Sequence, residues 1–297
     1  MLVVLLYLLS FSVQANEITS EDRALFWSVH KQGKPAGYLL GTIHSEDPRV
    51  LDFSTDFLEK LKENNVFAME LVPDMAALAR LTELMNYPDG KSLESVIGQQ
   101  RFAALVSAMS VYELPVNLIN RMKPWAAMMT LSTPPPETGF FMDLSISLRA
   151  SGSGMETIGL ETIEQQLSFL QDMPMQMQLD LLDQAISEYG QVKQAHDEMV
   201  DAYLKDDLRV LQSLSDEQLT SVSGEAGDYF MAFGIRARNL RMAESLWPFL
   251  ETSKVFIAVG ALHLPGEDGL INLLRRRGYE LKPLALPFTG DSAVPVH

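Results

Sequence analysis

The chain has 297 residues, 47% hydrophobic and 21% charged, which excludes a disordered or fibrous protein. Its 39 acidic and 23 basic residues give a net charge of −16, which argues against a general nucleic-acid binder or a polybasic membrane-surface protein. With no cysteine, a disulfide scaffold, a Cys nucleophile, a thiolate zinc site and a lipoprotein anchor are all excluded.

Residues 1–9 (MLVVLLYLL) are apolar but fall short of the roughly 20 residues that span a bilayer. Val13-Gln14-Ala15 supplies a small-x-small cleavage site before Asn16, so residues 1–15 read as a signal peptide, although no Lys or Arg precedes the apolar run. A buried N-terminal strand is the competing reading. Export predicts a periplasmic or secreted protein with no transmembrane anchor after cleavage, a single domain over residues 16–297.

The apolar runs 25–30 and 37–43, joined across Gly33 and Pro35, predict a β-hairpin. Phe53, Phe57, Leu58 and Leu61 have helical spacing over residues 52–64, and 66–71 reads as a buried strand. Residues 75–132 are mostly helical, with corners at Tyr87-Pro88-Asp89-Gly90 and Leu114-Pro115, and Ser132-Thr133-Pro134-Pro135-Pro136 is a loop. A helix over 141–150 and a short strand over 157–160 follow, then a large helical insert at about 164–250. A strand at 254–259, an amphipathic helix at 266–277 and a strand at 279–286 close the chain. The alternation predicts an α/β protein. Between Glu156 and Asp228, 16 acidic residues face only Lys193, Lys205 and Arg209. That stretch reads as a solvated helical face, with a surface for cations or basic substrates as the alternative.

No Gly-x-Ser-x-Gly elbow, P-loop or His-Glu-x-x-His helix is present. Met173, Met175 and Met177 could offer thioethers to Cu(I), but methionines at a helix start more often serve packing. More telling is an internal echo: Gly41-Thr42-Ile43-His44 and Gly260-Ala261-Leu262-His263 each follow an apolar strand and precede a turn. Glycine allows a sharp exit from the strand, and the histidine then projects from the carboxyl edge of the sheet, where α/β folds place their sites. Glu70 ends the buried run Val66-Phe67-Ala68-Met69, where a carboxylate requires a partner. His44, Glu70 and His263 together make a two-His, one-carboxylate set compatible with Zn, Mn, Co or Fe. In the plainer reading, Glu70 pairs with Arg236 or Arg238 and the histidines cap strands.

At these residues the sequence resembles the TraB/GumN family, which includes bacterial pheromone-shutdown proteins and the animal Tiki proteases. The matching stretches are Leu39 to His44, Met69-Glu70-Leu71, Lys123-Pro124-Trp125-Ala126 and Ile158-Gly159-Leu160-Glu161-Thr162 with Glu164-Gln165-Gln166. They continue with Arg236-Ala237-Arg238-Asn239 and Phe256 to Gly266, in order along nearly all of the mature chain. The resemblance implies a central mixed β-sheet flanked by helices, in two related halves, akin to erythromycin-esterase, ChaN-like and Tiki folds. It also implies a divalent metal, Mn or Co first and Zn second, with His44, Glu70 and His263 at the metal or general-base centre. The family arginine maps to Arg236 or Arg238, and Glu161 becomes a second acid. Many relatives carry Gly-x-Asp near Gly139, where this chain has Gly139-Phe140-Phe141-Met142-Asp143, which leaves Asp143 outside the core set.

The leading expectation is therefore metal-assisted hydrolysis of a peptide bond, with a peptide or small-molecule substrate. A metal-independent esterase-like hydrolase with a histidine base is the first alternative. A protein that sequesters a peptide or metal-containing ligand without turnover is the second.

Overall fold

The computed structural model describes residues 23–220 and 224–289; the leader reading of residues 1–15 lies outside them. Six strands form one mixed sheet: β1 (Phe26–Lys31), β2 (Lys34–Thr42), β3 (Val66–Met69), β4 (Glu156–Gly159), β5 (Val255–Gly260) and β6 (Tyr279–Leu284). Their spatial order is β4-β3-β5-β2-β1-β6. The hairpin expected at the start of the sequence is β1–β2. Its turn residues Gln32 and Gly33 both have positive φ (52° and 73°), the geometry that matches the twist of the flanking strands.

β2 joins two kinds of pairing, antiparallel to β1 on one side and parallel to β5 on the other. β5, β3 and β4 continue the parallel half, and β6 lies antiparallel to β1 at the far edge. The register aligns Thr42 with Gly260, Met69 with Ala258 and Met69 with Gly159. All four parallel strands thus end within about two residues of one another on the same edge. Close approach is built in at Gly41, where a Cβ would lie 3.0 Å from the Ala261 Cα and from a Leu264 methyl.

Helices surround this sheet, and the buried apolar residues fall into two clusters. The first is the sheet core, where Phe26, Tyr38, Phe57, Phe67 and Phe256 pack with ring centroids 5.6–6.1 Å apart. The second is helical and draws on residues 71–131 as well as on 163–185. Its central helix, Pro124–Leu131 (PWAAMMTL), is buried at every position, as an all-round apolar helix must be. Met69 belongs to the sheet core and Leu71 to the helical core, so Glu70 sits on the seam between them. Among the described residues no helix is long and apolar enough to cross a membrane.

Elements expected from periodicity are present with ends displaced by a few residues. The last helix begins at Leu270 rather than 266, because residues 264–269 form a tight loop in which a Cβ on Gly269 would lie 2.1 Å from the Pro265 carbonyl oxygen. The three methionines do not converge on a common point. Met173 is buried in the helical core, Met175 is 44% exposed, and Met175 and Met177 are about 200° apart on their helix.

Candidate functional site

Each residue singled out at a strand end lies on the carboxyl edge of the parallel strands. Glu70 follows β3 directly and Glu161 follows β4 by two residues, with the ladder extended by Leu160 N–H to the Met69 carbonyl and Glu161 N–H to the Glu70 carbonyl, both 2.8 Å. Thr162 then starts the helix Ile163–Gln171 with a reciprocal capping box to Gln165. The Gly-Leu-Glu-Thr run therefore divides its work: glycine ends the strand, leucine packs, glutamate enters the site and threonine caps the helix.

Arg238 ties the two carboxylates together. It is 2% exposed; its Nη2 donates to Glu70 Oε2 (2.7 Å) and to Glu161 Oε2 (2.6 Å), and its Nε donates to Glu161 Oε2 (2.8 Å). Arg236, two residues earlier, is exposed and takes no part in the cluster, since two residues on a helix turn about 200°. A π-helical segment, Phe230–Arg236, leads into the helix Ala237–Thr252 and sets which of its residues face inward. Glu70 also accepts from Gln166 Nε2 (3.1 Å) and, at Oε1, from the Gly260 N–H (2.7 Å). The second Gly-x-x-His glycine thus contributes its amide as well as a turn.

The two buried carboxylates share Arg238, and the part-exposed Arg241 places its Nη2 3.4 Å from Glu161 Oε1, yet the two acids part company. Burial alone would raise Glu70, but Arg238, His263 and the Gly260 amide outweigh it and hold the carboxyl down at about 2. For Glu161 burial wins, reinforced by the negative charge of Glu70, and its pKa is raised. Of the pair, Glu161 takes up a proton first.

The two histidines occupy different surroundings. His263 is fully buried; burial drives its pKa down to about 3, so the ring is neutral. Its Nδ1 is 2.5 Å from Asn239 Oδ1, and its Nε2 faces Glu70 Oε1 at 3.7 Å, beyond hydrogen-bond reach. His44 stacks on Phe141 (centroids 3.7 Å, planes at 19°), and burial lowers its pKa against the opposing pull of Asp143. Its Nδ1 lies 3.7 Å from Asp143 Oδ2, while the other Asp143 oxygen accepts from the Thr42 hydroxyl.

His44 also lines a cleft of about 250 Å³ with Glu46, Pro134, Phe141, Lys193 and His196 among its walls. Glu46 holds one wall in place, accepting from the backbone amides of Glu137 (3.0 Å), Thr138 (2.8 Å) and Gly139 (2.7 Å) and from the Thr138 hydroxyl (3.1 Å). The Pro-rich loop read from sequence is therefore part of the cleft wall.

The donors fit a divalent cation in their chemistry. Among buried polar atoms without a hydrogen-bond partner are both ring nitrogens of His44, His263 Nε2 and Asp143 Oδ2, nitrogen and oxygen ligands of the kind Mn, Co and Zn accept. As placed, however, no three His, Asp or Glu side chains among the described residues are grouped closely enough to hold a metal. Glu70 is paired with Arg238, as the plainer reading of the sequence had it.

Three neighbours escaped the sequence reading, Gln166, Asn239 and Phe141, and a fourth, Asp143, stands outside the core set that reading proposed. Gln166 and Asn239 stand inside stretches that carry the family resemblance, but a polar residue on a helix gives no sign that it is turned inward. Asp143 sits in the segment that departs from the family pattern, and the fold nevertheless returns it to His44.

A model of the TraB/PrgY/gumN family matches residues 25–283. Among curated proteins, the metalloprotease TIKI1 of Danio rerio is 22% identical over 321 residues, covering 91% of this chain and 65% of its own length. The metalloprotease TIKI2 of Xenopus tropicalis is 23% identical, covering 93% and 63% respectively, and TIKI2 of Danio rerio is 23% identical, covering 89% and 62%. The chain thus spans just under two thirds of the length of these relatives. No solved structure matches it.

Proposed function

This chain belongs to the TraB/PrgY/gumN family, and from that premise we propose that it is a metal-dependent hydrolase of peptide bonds. The observation that supports this most directly is the set of unpartnered imidazole nitrogens on His44 and His263, at the ends of adjacent parallel strands, with His44 lining the cleft. Its relatives named metalloproteases supply the reaction class. His44 and His263 would hold the ion together with a carboxylate, Glu70 or Asp143. The chemistry such an ion would supply is a lowered pKa for a water and polarisation of a carbonyl. Mn or Co is our first choice and Zn our second.

The remaining roles belong to the chain. A peptide lies in the cleft against Phe141 and the proline-lined wall, with its scissile bond toward His44. Glu70, held near pKa 2, is a weak proton acceptor at neutral pH and suits a ligand rather than a general base. Arg238 fixes Glu70 and Glu161 against each other, and of these two carboxyls Glu161 carries a proton the more readily. The leader-like residues 1–15 support export, and the proposal sets the reaction outside the cytoplasm.

One observation favours a second reading. Asp143 Oδ2 faces His44 Nδ1, a pairing that would orient His44 as a direct base for an ester or peptide without a metal. Elemental analysis separates the two. After loading with Mn, Co or Zn and gel filtration, the chain from Asn16 onward is expected to retain about one ion, and the folded His44→Ala/His263→Ala double variant none. Cleavage of a peptide library by the loaded protein, abolished by chelation, completes the case. Activity that survives exhaustive chelation transfers the assignment to the His44–Asp143 reading, and a peptide bound stoichiometrically and recovered intact overturns both.

A further inference from the structure

Asn239 is adjacent to Arg238 and 1% exposed, yet no part of the hydrolytic reading uses it. Its side-chain amide bridges two groups. The Nδ2 donates to the backbone carbonyl of Asp268 at 2.9 Å, and Oδ1 lies 2.5 Å from His263 Nδ1. Which amide end is oxygen and which is nitrogen follows from the Asp268 contact: a carbonyl only accepts, so the NH₂ must face it. The end facing His263 is therefore oxygen, and His263 Nδ1 must carry the proton that oxygen accepts.

A neutral imidazole has one N–H. With the proton on Nδ1, His263 Nε2 is left as a bare lone pair, and that atom points at Glu70 Oε1, 3.7 Å away, without a hydrogen-bond partner. Without Asn239 no hydrogen bond would hold the proton on Nδ1, and the negative charge of Glu70 beyond Nε2 would draw it to that nitrogen. A buried amide thus holds the His263 proton on the side of the ring away from Glu70. The arrangement extends back to the loop after the second Gly-x-x-His, because Gly269 permits the tight packing on Pro265 that fixes the carbonyl of Asp268, its neighbour in the chain.

We propose that Asn239 is a positioning residue that locks His263 in the Nδ1–H tautomer, holding Nε2 open toward Glu70 as a ligand for a divalent cation. The tautomer follows from the hydrogen bonds alone; its purpose rests on the metal-dependent reading above. A histidine whose distal nitrogen is oriented in this way presents a fixed and more basic donor to a metal, and loss of the orienting partner typically costs about 10- to 100-fold in metal affinity.

The test is the ring ¹⁵N spectrum of the metal-free chain from Asn16 onward, with the His263 signals assigned by their loss in His263→Gln. Wild type is expected to show a protonated Nδ1 and an unprotonated Nε2. Asn239→Leu should shift the proton to Nε2, and Asn239→Asp, which keeps the acceptor, should retain it on Nδ1. A wild-type ring protonated at Nε2, or an Asn239→Leu ring unchanged from wild type, overturns the assignment. The wild-type spectrum alone decides the tautomer if the leucine variant does not fold. Calorimetric titration with Mn, Co and Zn then reads the purpose: Asn239→Leu should bind about 10- to 100-fold more weakly, and equal affinity would refute the positioning role. If wild type binds no metal while its Nδ1–H tautomer is confirmed, the metal-dependent reading and the ligand role fall while the hydrogen-bond assignment stands.

Discussion

Replacing Arg238 with Met removes the cation from between two buried carboxylates. Glu70 and Glu161 are 6% and 5% exposed, so neither can recover solvation by turning outward. Leaving both charged would place two negative charges in the seam with only the part-exposed Arg241, 3.4 Å from Glu161, to oppose them. The cheapest escape is one proton shared by the pair, as in other buried carboxylate dyads. At pH 7, protonating a carboxyl whose ordinary pKa is 4.5 costs about 3.4 kcal/mol, from 2.5 pH units at 1.36 kcal/mol each. That figure agrees with the roughly 3–5 kcal/mol typical of breaking a buried ion pair by removing one partner. At pH 5 the same proton costs about 0.7 kcal/mol. Arg238→Met should therefore be destabilised by about 3–4 kcal/mol at pH 7, a fall in Tm of about 10 °C, and the deficit should shrink by about 1.4 kcal/mol per pH unit toward pH 5. Urea unfolding followed by circular dichroism at pH 5, 6 and 7 measures it. Adding Glu161→Gln removes one of the two negative charges without a proton, so the double variant should lose the pH slope. A deficit below about 1 kcal/mol at pH 7, or one equal at pH 5 and pH 7, refutes the reasoning.

Other consequences can be measured on the same protein. Asp206, at φ 53°, accepts the Leu25 amide at 2.9 Å, and burial raises its carboxyl to about 6. A raised carboxyl takes up its proton more readily in the folded state than in the unfolded one, so its relative contribution is present at low pH and lost as pH rises through about 6. Asp206→Asn keeps the acceptor and suits a positive φ; after discounting for partial exposure it should gain about 1–2 kcal/mol at pH 8 and nothing at pH 4. A gain of equal size at both pH values would remove Asp206 as its source. Glu46→Ala strips the acceptor from three amides and a hydroxyl of residues 137–139, so limited proteolysis should open this segment ahead of the rest of the chain. A digestion pattern identical to wild type would show that the cleft wall stands without Glu46.

Period-two and helical spacings made most elements legible from the sequence, because apolar alternation reports burial directly. The echoed Gly-x-x-His turns and the carboxylate after Val66 to Met69 pointed to the correct edge of the sheet for the same reason: a polar residue ending an apolar run has to be accounted for. The choice between Arg236 and Arg238 was not legible. It depends on a π-helical segment just upstream, and a rotation of about 100° per residue decides which side chain enters the seam. Asn239 and Gln166 were hidden because hydrogen bonds between side chains far apart in sequence follow no local pattern. The pairing of Glu70 with Arg238 spans 168 positions, and that of His44 with Asp143 depends on where a later helix happens to begin.

The strand order has a consequence for timing. β5 lies between β2 and β3, yet it is the fifth strand to be made. Until about residue 260 has emerged from the ribosome, the sheet can exist only as two separate fragments, the β1–β2 hairpin and the β3–β4 pair. The late strand supplies the amide that Glu70 accepts, and the second histidine follows it by three residues. A chain that stops short of residue 260 therefore holds Glu70 without the Gly260 amide and without the second histidine.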